Sequence, residues 1–239
     1  MNSSEKSLPA SHSYVGPHLG AVAIAYVLLK VASVVPVSSF GMPFGVRAPF
    51  FPGLLAPIEQ VAAYFASHAG PVSLCAFLQF GAAIPFGIFT AAIVTRMHAL
   101  GCDVAGVRIA LFGGFMAAIN EAVSGGIIWV MGHPVIAQVP ALTQSFHYLA
   151  VVFGGPGFTM PQGLLMAGIS LPAGSMKRLS KTMAAFGLIL AVIGELSWFS
   201  MMSPRAGILI PLARWPGFIW LIVAGFSLSK GSRTRENTR

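Results

Sequence analysis

From Arg108 to Met131 the chain is apolar for long enough to cross a bilayer, and at the middle of that run stands Asn120-Glu121. A run of roughly 20 apolar residues is accommodated in lipid as a helix, because its backbone polar groups then bond within the segment. A carboxylate inside such a helix costs about 2.5–3.5 kcal/mol on insertion scales, so it faces a partner or a water-filled cavity. The chain has only six acidic residues. Placing one of them here sets the question that the rest of the sequence has to answer.

The surroundings of that run are of the same kind. Hydrophobic residues make up 56% of the chain and charged residues 8%, with mean hydropathy +0.80. A soluble domain carries roughly 25% charged residues, so lipid must cover most of this surface. The expectation is an all-α polytopic bundle of six transmembrane helices, with spans at about 19–40, 71–95, 107–131, 141–171, 182–202 and 211–229. The domain scheme is a cytoplasmic tail at 1–18, the membrane domain at 19–229 and a basic cytoplasmic tail at 230–239. The first apolar run is too long for a signal-peptide core and follows no basic segment, so it is read as a span. Pro57 opens a short amphipathic stretch in which Ile58, Val61, Ala62 and Phe65 recur at helical spacing. It is expected as an outer interfacial helix.

Lysine and arginine orient the bundle. Lys6, Arg96, Arg108, Lys177, Arg178, Lys181, Lys230, Arg233, Arg235 and Arg239 fall on one side, and Arg47, Arg205 and Arg214 on the other. The positive-inside rule then puts both termini in the cytoplasm. The formal charge of +8 follows this topology and contains no long basic run, so a nucleic-acid partner is not expected and the lipid bilayer is. Cys75 and Cys102 fall near opposite faces, ~30 Å or more apart along a helix, too far for a disulfide.

Depths counted at about 1.5 Å per residue gather five polar groups in the outer half of the membrane. Glu121 and Lys30 lie roughly 15 Å deep, Gln79 roughly 12 Å, Glu195 roughly 10 Å and His147 roughly 8 Å. With Asn120 beside Glu121, these are the candidate ligand- or proton-binding residues. Two carboxylates against one lysine leave a negative surplus, which suits protons, a cation or a small polar ligand. The same groups could instead form a network that only joins helices. Glu121, Glu195 and His147 are also a feasible nitrogen and oxygen ligand set for a metal, although no local ligand-spacing motif is present and no cofactor is expected. Gly154-Gly155-Pro156-Gly157 breaks the fourth span, and non-helical backbone at that depth is tolerated only against protein or water. No phosphate-binding loop, G-x-S-x-G or Cys/His metal spacing occurs, and no catalytic residue is nominated.

Three stretches, Phe77–Ala91 (FLQFGAAIPFGIFTA), Phe153–Leu171 (FGGPGFTMPQGLLMAGISL) and Arg214–Phe226 (RWPGFIWLIVAGF), resemble an uncharacterised bacterial membrane family, the domain of unknown function 4386 and its actinobacterial relatives. The resemblance covers most of residues 55–229 and implies a multi-pass protein of a bacterial cytoplasmic membrane. It carries no activity, and Lys30 lies outside it. The functional expectation is a small-ligand- or ion-binding, transporter-like module with its site in the outer half. The alternatives are an assembly subunit without a ligand and an intramembrane metal-dependent enzyme.

The charge split places residues 132–140 outside. A cysteine introduced at Gln138 should react with an impermeant maleimide in intact cells. Reaction only after the cells are broken open would reverse the topology.

Overall fold

The computed structural model describes residues 14, 16–38, 51–53 and 55–229. Arg47, most of the loop around it, and the expected tails at 1–13 and 230–239 lie outside the described residues. Nine α-helices are present among the described residues: α1 Leu19–Val34, α2 Ile58–Ser67, α3 Ala69–Ala99, α4 Ala105–Met131, α5 Pro134–Ala137, α6 Pro140–Gly154, α7 Pro156–Ser175, α8 Lys181–Leu196 and α9 Leu209–Ser229. With their 3₁₀ extensions they make six candidate spans, Leu19–Val37, Ala69–Ala99, Ala105–Met131, Pro140–Ser175, Lys181–Met201 and Pro204–Ser229.

Local chemistry sets the ends. The Ser180 hydroxyl caps α8 by accepting from the Met183 amide, and His18 caps α1 by accepting from the Ala21 amide through Nδ1. Proline opens α5, α6 and α7, where its missing N–H would be unpaired anyway. Gly101, at φ 83°, turns the chain out of α3.

Consecutive spans pack side by side: α1 on α3, α3 on α4, α4 on α6 and α7, α7 on α8, α8 on α9, and α9 back on α1. The six spans therefore close into an up-and-down ring, as short connections favour. The outside of the ring is greasy, with Leu28, Phe77, Ile84, Phe112, Ile189 and Ile219 all more than half exposed. That is the inverse of a soluble bundle and suits lipid contact. The α2 helix sits at the end of the ring that also carries α5. Its apolar stripe is covered by protein: Val61 and Phe65 are fully buried, and α2 packs mainly on α6.

Small residues let the helices approach closely. A side chain at Gly113 on α4 would meet the Pro161 carbonyl oxygen at 2.5 Å and the Leu165 amide at 3.0 Å on α7. Gly125 is pressed against the α3 backbone at Phe80, and Gly225 on α9 against Gly20 on α1. Gly126, one residue from Gly125, faces open space.

Gly113→Ala should therefore destabilise the bundle by about 1–3 kcal/mol through overpacking, while Gly126→Ala should be neutral or mildly stabilising. Thermal unfolding in detergent checks the pair, and equal effects would show that the α4–α7 seam is loose.

Candidate functional site

The site is built where α1, α4 and α9 meet the break between α6 and α7. Breaking the fourth span leaves carbonyls without helical donors. Pro161 has no N–H to give to Gly157, four residues before it. The Phe158 amide donates to the Gly155 oxygen, which leaves the Gly154 oxygen without its usual helical donor. In lipid each such group costs several kcal/mol unless satisfied. Side chains from other spans supply the donors. Asn120 Nδ2 donates to the Gly157 oxygen, and Arg214 Nη2 to the Gly154 oxygen. One turn further along α4, Ser124 donates to the Ala150 oxygen at 3.0 Å and accepts from Gln79 Nε2 at 3.1 Å. The break is thus stitched to α3, α4 and α9.

Beside these donors lies an ion pair. Lys30 Nζ on α1 stands 2.8 Å from Glu121 Oε1 on α4, with both side chains buried. At that distance the ammonium can donate to the carboxylate as well as neutralise it, and the Tyr26 hydroxyl is a second donor within reach. Tyr26, one turn before Lys30, and Arg214 are within electrostatic reach of the same carboxylate. Arg214 Nε is buried without a hydrogen-bond partner among the described residues, as are both amide atoms of Gln162 on α7, which lies against Gly217 of α9.

Aromatic rings close the site on one side. The Arg214 guanidinium lies 4.9 Å above the Phe158 ring. Phe158 meets Phe86 at 5.5 Å, Phe86 meets Tyr26 at 4.7 Å, and Tyr26 meets Phe218 at 5.6 Å between ring centroids. Tyr26 precedes Lys30 by four residues on α1, and Phe218 follows Arg214 by four on α9. This floor therefore lies one turn from the charges, away from the α5 end.

The sequence candidates divide into two groups. Lys30, Glu121, Asn120, Gln79 and the glycine-proline break come together. Glu195 and His147 are placed elsewhere. Glu195, on α8, sets its Oε1 against Gly163 on the side of α7 that faces α8, buried and without a hydrogen-bond partner among the described residues. α7 packs between α8 and α4, and so separates Glu195 from Glu121. His147 points from α6 to the Pro52 oxygen, at 3.1 Å from Nε2, and packs among Phe51 and Phe65 under α2. Among the described residues no group of three His, Cys, Asp or Glu side chains is close enough to share a metal ion.

Arg214 refines the sequence reading, which counted it only among the positive charges of the outer side. It lies inside α9, half-buried, on the interior of the ring. Its position within the expected span at 211–229 was the available signal. Tyr26 and Gln162 were also missed, because a tyrosine or glutamine in a long apolar run does not stand out from composition.

No family model, curated protein or solved structure matches this chain. The chemistry has to be read from its own residues.

The capping role of Asn120 can be isolated by a double-mutant cycle. Asn120→Ala should cost about 1–3 kcal/mol by leaving a buried carbonyl unpaired. In a Pro161→Ala background, whose restored N–H reaches the Gly157 oxygen, that cost should largely disappear. Additive losses in thermal stability would show that Asn120 serves something other than this carbonyl.

Proposed function

We propose that this multi-pass membrane protein is a small-ligand- or ion-binding, transporter-like module of a bacterial cytoplasmic membrane, with both termini inside and its polar site in the outer half. The observation that carries the reading is the buried Lys30–Glu121 pair at the break, together with buried polar atoms, Arg214 Nε on α9 and the α7 Gln162 amide beside Gly217, that lack hydrogen-bond partners among the described residues. A network that only joins helices satisfies its own polar atoms, because each unpaired one costs about 1–3 kcal/mol. A binding site keeps such atoms for its ligand.

Two further features fit. The broken α6–α7 span brings backbone carbonyls and polar side chains to one point in the membrane, as discontinuous helices do in transporters. The aromatic rings of Tyr26, Phe86, Phe158 and Phe218 close the side away from the α5 end, so exchange with solvent would run toward the α5 end, past the apolar cluster of Val61, Phe65, Ile128 and Met131. Lys30, Arg214 and Glu121 set the charge of the site in this reading, Tyr26 and Gln162 shape it, and Asn120 and Ser124 keep the break in shape.

The reading requires that the site open to water for part of the time. In a background of Cys75→Ala and Cys102→Ala, a Gln162→Cys variant should react with 2-sulfonatoethyl methanethiosulfonate added outside. Its rate should be on the order of tenfold or more above that of a core control, Ala173→Cys, which sits in the closed region of α7. Equal, very slow rates at both positions would leave the polar groups as a sealed structural network.

A further inference from the structure

The charges that meet inside the ring fix the class of ligand. The sequence suggested two carboxylates against one lysine, a surplus suited to protons, a cation or a small polar ligand. The structure removes Glu195 to the α8 side of α7 and brings in Arg214. What remains is one carboxylate, Glu121, with two cations, Lys30 and Arg214, in the part of the bilayer where charge is most costly. Lys30 and Arg214 are close enough to repel each other, and Glu121 can compensate only one of them. Cys75, also within reach of Lys30, is a buried thiol, and His147 is turned away to the Pro52 oxygen.

The unpaired donors point the same way. Arg214 uses Nη2 on the Gly154 oxygen and leaves Nε–H without a partner among the described residues. Gln162 Nε2, beside Gly217 on the next turn of α9, is likewise without one. A guanidinium edge with a neighbouring amide N–H donor matches the oxygens of a planar carboxylate. A cleft of about 360 Å³ lies beside the break, lined by Pro156 and Ile210 together with Tyr148, Val152, Pro204 and Gly207. Ile210 touches Gly155 of the break and lies one helical turn before Arg214.

From this juxtaposition of Lys30, Arg214 and Glu121 we propose that the ligand of the site is a small monovalent anion, with a monocarboxylate as its best fit. The inference rests on the ligand-binding reading given above and narrows it. Glu121 has a defined part in it. The carboxylate neutralises one cation while the site is empty and competes with the bound anion for the same donors, which keeps binding reversible.

The test uses the full chain in lipid nanodiscs and reads thermal unfolding as the choline salt of 2-morpholinoethanesulfonate is replaced by choline acetate at constant ionic strength and neutral pH. The bulky sulfonate, which has no carboxylate, serves as the comparator anion. The midpoint should rise saturably with acetate. Glu121→Gln should lower the half-saturating acetate concentration on the order of tenfold or more, because it removes the internal competitor. Lys30→Met leaves Arg214 to neutralise Glu121 and should abolish the response, which keeps the test decisive if Glu121→Gln does not fold. Glu195→Gln should respond as the parent protein does. An acetate response that survives Lys30→Met would overturn the proposal. So would a midpoint that follows replacement of choline by sodium while ignoring the anion, with the site itself left standing. No response to acetate or to sodium refutes the proposal, and the labelling of Gln162→Cys then tells whether the site falls with it.

Discussion

A carbonyl at bilayer depth that loses its helical donor has no water to turn to. The break between α6 and α7 creates two of these, at Gly154 and Gly157, and their requirement for donors organises the middle of the bundle. Asn120 meets one from α4 and Arg214 meets the other from α9. Because both donors come from other spans, the break fixes the rotation of α4 and α9 about their axes. Once α4 is turned so that Asn120 and Ser124 reach the fourth span, Glu121 lies on the interior and meets Lys30.

The charged cluster is tolerated only in that setting. An ion pair moved from water into a low-dielectric interior recovers its desolvation only with good geometry and further polar partners. Here Tyr26 and Arg214 lie within reach of the pair, and the aromatic rings of Phe86, Phe158 and Phe218 seal one side. Glycines on the seams bring the helices near enough for these groups to touch. Gly113 on Pro161 and Leu165, and Gly163 on Ala191 of α8, hold α7 close to both neighbours. Polar specificity and close backbone packing are therefore two consequences of one arrangement.

That arrangement separates two kinds of buried polar residue that are similar in sequence. Ser124 and Asn120 are consumed by backbone carbonyls, and Nε2 of His147 by the Pro52 oxygen. They hold the fold. Gln162 and Arg214 Nε have capacity left over. Depth in the membrane cannot tell these groups apart, since it says nothing of which neighbour a side chain faces.

The sequence by itself determined the six spans, their approximate ends and the break in the fourth, because lipid accepts only long apolar helices and Gly-Gly-Pro-Gly cannot continue one. It also singled out Lys30, Gln79, Asn120, Glu121, His147 and Glu195 as costly residues that needed a reason. Which of them would meet was left to the tertiary structure. Helix faces and the order of spans around the ring decide that, and neither is written in a run of residues that is apolar on nearly every side. The ring put α7 between Glu121 and Glu195 and turned Arg214 inward. The sign of the site's net charge followed from those two placements, because a buried charge is defined by the few groups close enough to compensate it.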